Sequence, residues 1–427
     1  MKIFCSGIGG IGLSAYAALQ NEAGHTVLGS DRTESDITRG LAGRGIFITT
    51  QQDGSAIPGD TNLFVYSEAI PADAPERRHA KQLQLKQQSY FQALGELSRD
   101  FTVIAVCGTH GKSSTTGMAA KVLIDAGVDP TVVVGTHVPD LGNRNWRRGQ
   151  GDIFLLEACE YRRSFHFLSP RIVLMTNVDG DHFDAFTGVE EYQQAFVDFL
   201  RLLPDDGTVI THGSDADCRR VAHAGGRRVI DADTFPLPQL SLSGAHMRRN
   251  AQLVLALADE LGMERESALR ALHGYRGSAR RLEYKGKWKG IPIYDDYAHH
   301  PVEIRATLAA LKEAEPGKRI VCVFQPHMHD RTLRLYDDFI RAFDDAGVVV
   351  VPNVYDARPD VETERVDVGE FVHDIADQSH VEALDGSSLR RTASLLKQSV
   401  LQDGDVLLVM GAGDVTELAS DMVQRGI

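Results

Sequence analysis

Apolar, β-branched stretches alternate with amphipathic ones along most of this chain, and each apolar stretch stops at glycine or at a polar or charged residue. In the first part Lys2–Ser6, Thr26–Gly29 and Leu63–Tyr66 read as strands, with a helix through Leu13–Asn21. In the middle Val103–Val106, Thr131–Val134, Ile153–Leu156 and Ile172–Thr176 read as strands, and Met118–Ile124 as a helix. An amphipathic helix begins at Gly244 and runs through Leu261, before a loop carrying Arg280–Glu283 and a hairpin-like Lys285–Ile293. The last part repeats the alternation, with strands at Ile291–Tyr294, Arg319–Phe324, Val348–Val351 and Asp405–Met410 and helices at Ile304–Lys312 and Leu333–Ala346. Strands that alternate with helices pair in parallel, so the pattern predicts an α/β protein. Three segments break it. Arg77–Gln88 reads as an exposed polar helix, and Pro139–Gly151 and Asp356–Val368 read as polar loops.

The length of 427 residues corresponds to about three domains. The pattern places them at 1–98, Rossmann-like; 99–284, a P-loop ATPase-like α/β domain; and 285–427, Rossmann-like again, with the Arg280–Glu283 loop as the hinge before the last. A net charge of −14 argues against nucleic acid or an anionic membrane as a partner. No apolar run approaches the roughly 18–20 residues of a membrane span. The glycines of Gly7–Gly12 stand where a signal peptide would need an apolar helix, which argues against export. Five cysteines without ligand spacing fit reduced thiols in the cytoplasm.

The stretch that changes the picture most is 101–116, Phe-Thr-Val-Ile-Ala-Val-Cys-Gly-Thr-His-Gly-Lys-Ser-Ser-Thr-Thr. A strand breaks into Gly108-Thr109-His110-Gly111-Lys112-Ser113-Ser114 and then into a helix. Such a loop turns backbone N–H groups onto phosphate oxygens at a helix N-terminus. Lys112 would reach the β- and γ-phosphates of ATP and Ser113 would meet Mg²⁺. Val106 stands where the first glycine of a full P-loop belongs, so this is a shortened version of that loop.

Near the N-terminus, Gly7, Gly9 and Gly12 form G-x-G-x-x-G around Gly10 and Ile11, with Asp31 nineteen positions after Gly12. That is the form of a dinucleotide-type turn that binds diphosphate. Ser67 opens a second candidate ligand loop, through Pro71, at a strand end. A nicotinamide oxidoreductase would explain this half alone and leave the phosphate loop without a purpose.

Further strand ends carry Glu157-Ala158-Cys159-Glu160 and Asn177-Val178-Asp179-Gly180-Asp181-His182. Mg²⁺ takes oxygen ligands and few protein carboxylates, which suits Ser113 and Glu157, with His182 serving a second ion. Glu160, Asp179, Asp181 and Asp184 equally suit helix caps and turns. In the last part Asp296, His299, His300, His327, His329, Arg331 and Asp414 gather at strand ends and point to anion handling.

Taken in order, these motifs resemble the Mur ligase family. They run G-x-G-G-x-G at 7–12, G-T-H-G-K-S-S at 108–114, E-A-C-E at 157–160, N-V-D-G-D-H at 177–182 and H-x-x-x-N at 246–250. R-R-L-E at 280–283, D-D-Y-A-H-H-P at 295–301, Q-P-H at 325–327 and G-A-G-D at 411–414 complete the series. His110, the paired His299-His300 and Q-P-H are most similar to the branch that joins L-alanine to the lactyl carboxylate of UDP-N-acetylmuramate, with release of ADP and phosphate through an acyl phosphate. Q-P-H argues against the recycling branch that attaches a preformed tripeptide. A nucleotide-sensing homologue without catalysis is the other alternative.

The resemblance implies ATP on Gly108, Thr109, His110, Gly111, Lys112, Ser113 and Ser114, adenine at Asn250, and Arg281 and Asp296 closing onto the nucleotide. It implies Mg²⁺ on Ser113, Glu157 and His182, and UDP-sugar on Gly7, Gly9, Gly10, Ile11, Gly12, Asp31 and Ser67. Lys112, Glu157, His182, His300 and Arg331 are the implied catalytic set, the last two near the amino acid. Where the family often has a second arginine after Q-P-H, this chain has Met328. A monomer or weak homodimer in the cytoplasm, acting on small molecules, completes the expectation.

Overall fold

Apolar runs with alternate residues in two different cores require a sheet covered on both faces, and a computed structural model of the chain contains three such sheets. It describes residues 1–181, 185–356 and 364–425. His182 and Asp184 therefore lie outside the described residues, as does most of the expected loop Asp356–Val368. The fold class is the α/β arrangement expected.

The first sheet contains β1 (Lys2–Ser6), β2 (Thr26–Ser30), β3 (Phe47–Thr49), β4 (Leu63–Tyr66) and β5 (Lys86–Ser89) in the order β3-β2-β1-β4-β5. All its pairings are parallel. The strand order reverses between β1 and β4, which opens a crevice at their carboxyl ends, where Gly7 and Ser67 lie. The expected helix Arg77–Gln88 is corrected here: the helix is Pro75–Gln82, and Gln84, with φ +55°, turns the chain into β5. That strand is polar because it is an edge strand.

The second sheet contains β6 (Thr102–Cys107), β7 (Thr131–Val138), β8 (Arg144–Arg147), β9 (Ile153–Glu157), β10 (Ile172–Met175), β11 (Thr208–Thr211) and β12 (Arg228–Asp231). Their order is β12-β11-β10-β6-β9-β7-β8. Only β8 runs antiparallel, on β7. The expected loop Pro139–Gly151 thus contains a strand, again an edge, whose Trp146 is buried, with the guanidinium groups of Arg44 and Arg144 each 5.1 Å from its ring centre. The first two sheets share one continuous apolar core, from Ile3, Cys5 and Leu13 to Val103, Ala105 and Phe154. They form one compact unit, Met1–Gln239 with Asn250–Arg276.

A second compact unit, Leu240–Arg249 with Gly277–Ile427, holds the third sheet. It contains β13 (Glu283–Trp288), β14 (Ile291–Asp296), β15 (Ile320–Phe324), β16 (Val348–Val351), β17 (Glu382–Asp385) and β18 (Val406–Met410), ordered β13-β14-β18-β15-β16-β17. The expected hairpin is present as the antiparallel pair β13–β14. Alternation assigns the faces. Ile320, Cys322 and Phe324 enter one core and Val321 and Val323 the other. The expected helix Leu333–Ala346 is instead two short ones, His329–Arg334 and Tyr336–Phe339, because Leu335 leaves the helical basin at φ −108°, ψ 21°.

Candidate active site

The strand β6 ends at Cys107 and the helix Lys112–Asp125 begins four residues after Gly108, with Gly111 as its left-handed cap at φ +81°. Gly108 has φ +136°, and a Cβ there would sit 2.0 Å from the Thr176 hydroxyl oxygen. Only glycine fits that position. The loop is held from the end of β10. Thr109 N–H donates to Asn177 O at 3.1 Å, His110 N–H to Asn177 Oδ1 at 2.9 Å, and the Thr176 hydroxyl to His110 O at 2.6 Å. Among the described residues the N–H groups of Gly111, Lys112, Ser113 and Ser114 have no acceptor. Four aligned donors at a helix N-terminus are what an anion such as a phosphate needs. Asn250 packs against this cap, its amide 2.9 Å from the position of a Gly111 Cβ.

Lys112 is largely buried, and its Nζ donates to Gly108 O, to Thr109 O at 3.1 Å and to Glu160 Oε1 at 3.1 Å. Burial alone would pull this amine down. Glu160 beside it, together with Glu157 at the same strand end, outweighs that and holds the ammonium charged. Glu160 is the residue that sequence reasoning placed among the caps. It is 1% exposed, and its Oε1 also receives the Tyr192 hydroxyl at 3.3 Å. The doubled glutamate of E-A-C-E was the available signal: the two side chains leave the end of β9 with different tasks. Glu157 Oε1 accepts the Gly135 N–H of β7 at 2.6 Å, and a Cβ on Gly135 would come within 2.8 Å of Oε2. The Ser113 hydroxyl makes no hydrogen bond among the described residues, and no cluster of three metal-ligating side chains occurs among them. His110 and Asp179 approach to 3.9 Å, and burial pushes the Asp179 carboxyl up.

On the first sheet, a Cβ at Gly7 would lie 2.9 Å from Ser67 Cβ and one at Gly9 2.8 Å from Asp31 Oδ2. Asp31 therefore lies against the turn and accepts the Gly9 N–H at 2.7 Å. The Gly7, Ile8 and Gly10 N–H groups are also used internally, the first two on Ser30 O and the third on Gly7 O. The N–H groups of Ile11, Gly12 and Leu13, in the first turn of the helix Ile11–Glu22, have no acceptor among the described residues. The glycines thus shape the turn, and the helix end supplies the donors.

In the second unit, β14 ends in Asp296, which is 5% exposed and accepts the N–H groups of Leu282 at 2.6 Å and Ala298 at 2.7 Å. Arg280 and Arg281 stand over the Tyr297 ring at 4.9 and 5.3 Å. His300 is buried and caps the helix Pro301–Ala314, accepting the Val302 N–H at 3.4 Å. It is His299 that faces the end of β15, with its ring 5.9 Å from His327. His327 stacks on Tyr355 and lies 3.3 Å from an Arg331 nitrogen. Met328 adopts φ +72°, and its N–H donates to Tyr355 O.

Burial pushes the Asp296 carboxyl up from 3.8 to about 6, against the pull of Arg281 and the two N–H groups. The native state therefore keeps this proton more tightly than the unfolded chain, and unfolding free energy falls as pH rises through that window, by up to about 3 kcal/mol from this group. Urea midpoints of the wild type should decline from about pH 4 to about pH 7, and Asp296→Ala should flatten the decline. Curves of the same shape for both proteins would remove Asp296 as the cause.

Three family models match the chain in series: the Mur ligase family catalytic domain over residues 2–102, the Mur ligase middle domain over 106–235 and the Mur ligase glutamate ligase domain over 280–413. The UDP-N-acetylmuramate–L-alanine ligase of Clostridium novyi (strain NT) is 34% identical over 443 residues, 97% of this chain and 95% of that protein. The enzyme of the same name from Geobacter sp. (strain M21) is 35% identical over 460 residues, 99% of this chain and 97% of that protein. Among solved structures, the UDP-N-acetylmuramate-alanine ligase MurC of Thermotoga maritima matches with TM-score 0.81 at 28% identity, covering 100% of this chain and 99% of that one. A murein peptide ligase from Psychrobacter arcticus shares the fold, with TM-score 0.73 at 22% identity over 99% of this chain and 98% of that one. With full-length relatives of this identity and family models along its length, the chain belongs to the Mur ligase family.

Proposed function

We propose that this chain is an ATP-dependent ligase that joins L-alanine to the lactyl carboxylate of UDP-N-acetylmuramate, a step in peptidoglycan precursor synthesis. The observation that carries this reading is the full-length likeness to relatives of that name. The free N–H groups of Gly111–Ser114 beside a charged Lys112 support it independently.

The carboxylate attacks the γ-phosphorus of ATP, giving an acyl phosphate and ADP, and the alanine amine then displaces phosphate. Two anions must meet in the first step. Lys112 neutralises the transferring phosphoryl group, and the helix N-terminus supplies fixed donors that need no reorganisation. The hard-oxygen character of the Ser113 hydroxyl and the Glu157 carboxylate fits Mg²⁺, and they would hold it together with phosphate oxygens and water. When bound, Mg²⁺ would neutralise charge on the phosphates. His182, the third expected ligand, lies outside the described residues.

The UDP-sugar is assigned to the end of the first sheet, ATP to the end of the second, and the amino acid to the His299–His327–Arg331 group of the third. The domain limits 1–98, 99–284 and 285–427 follow that assignment. A cytoplasmic monomer or weak homodimer completes the proposal. Its cytoplasmic part is supported by five free thiols.

Phosphate release tests the reading, using ATP, Mg²⁺ and UDP-N-acetylmuramate with a panel of alanine, glycine, serine and the stem tripeptide. Release that requires both the UDP-sugar and an amino acid, and is fastest with alanine, is the expected result. Preference for the tripeptide would assign the recycling reaction instead, and ATP binding without any acceptor-dependent release would make the chain a sensor.

A further inference from the structure

Tyr90 has no part in the chemistry above, yet its phenol occupies a telling place. It follows β5 directly and opens the helix Tyr90–Ser98, whose N-cap Ser89 and Gln92 form a reciprocal capping box that fixes the backbone there. From that position the ring crosses to the glycine turn. A Cβ on Gly12 would lie 2.7 Å from Tyr90 Cε1, 2.8 Å from Cζ and 2.9 Å from the hydroxyl oxygen. The hydroxyl thus lies against the helix turn whose three N–H groups, on Ile11, Gly12 and Leu13, lack acceptors among the described residues.

Tyr90 is only partly buried, and its hydroxyl has no hydrogen-bond partner among the described residues. A Tyr hydroxyl this close to the core ordinarily finds one. The same phenol is near enough to Glu157, at the end of β9, for its charge to act on it. It therefore stands between the helix end suited to a diphosphate and the strand end beside the phosphate loop. Asn145, from β8, ties the second sheet to this helix end by donating to Ile11 O at 2.6 Å.

We infer that Tyr90 is a substrate-binding residue whose hydroxyl donates a hydrogen bond to a diphosphate oxygen of the UDP-sugar held on the Ile11–Leu13 helix turn. The inference rests on the function proposed above. A phenol is a competent donor at neutral pH, and burial raises the pKa of this one further. A hydrogen bond to a charged acceptor is among the stronger ones, so its loss should be visible in affinity.

The test is Tyr90→Phe, which keeps the ring over Gly12 and removes only the hydroxyl. KM for UDP-N-acetylmuramate should rise about tenfold and the affinity for UDP alone should fall by a similar factor, with KM for ATP and the melting temperature unchanged. Unchanged KM and UDP affinity in a wild-type background that turns over would overturn the role of Tyr90 and leave the ligase reading intact. A loss for UDP-N-acetylmuramate without one for UDP would overturn the diphosphate as acceptor and place the contact on the sugar. Wild-type protein that neither binds UDP nor releases phosphate would overturn both.

Discussion

Lys112→Ala is expected to lower kcat at least about 10³-fold, the loss seen when a positioned cation or oxyanion donor is removed from a charge-separating transition state. The same substitution should also cost stability, for a reason visible only in the fold. Glu160 is 1% exposed and shares its Oε1 with Lys112 and Tyr192. Deleting the ammonium removes a charged partner from a buried carboxylate, a change that costs about 3–5 kcal/mol. The double variant Lys112→Ala/Glu160→Gln separates the two effects. It should recover most of the lost thermal stability, since the buried charge that Lys112 balanced is gone, and none of the turnover. Recovery of turnover in the double variant, or a single variant with near-normal kcat, would remove Lys112 from the chemistry.

Glu157 carries the second large effect, and here the conservative change is the informative one. Its Oε1 accepts the Gly135 N–H at 2.6 Å, so Glu157→Ala would remove a backbone partner as well as a candidate metal ligand. Glutamine keeps an acceptor for Gly135 and loses the negative charge. Glu157→Gln should therefore melt within a few degrees of the wild type and lose about 10²-fold or more in kcat. The Mg²⁺ concentration for half-maximal rate should shift upward. An unaltered Mg²⁺ dependence would reduce Glu157 to a structural link between β9 and β7. Deep destabilisation of the glutamine variant would do the same.

The two substitutions differ in what they separate. At Lys112, charge in the site and charge balance in the core are one interaction, so a second mutation is needed to pull them apart. At Glu157 the backbone contact and the proposed metal contact fall on one carboxylate, and glutamine divides them directly.

The chain's pattern of residues by itself determined the α/β class, most strands of the three sheets, the two glycine turns and the order of motifs. Each of these is a local consequence of side-chain alternation, of β-branched runs and of glycine's conformational freedom. Polarity misled it at β5 and β8, because edge strands meet water on a side that interior strands do not, and their composition then resembles a helix or a loop. Only the tertiary structure decided that Glu160 neutralises Lys112, that Asn250 packs on Gly111, that Asp31 is spent on Gly9 and that Tyr90 stands over Gly12. Those pairs are 48, 139, 22 and 78 positions apart. Their meeting depends on which strands lie side by side and on which face each side chain leaves, and no local period along the chain carries that information.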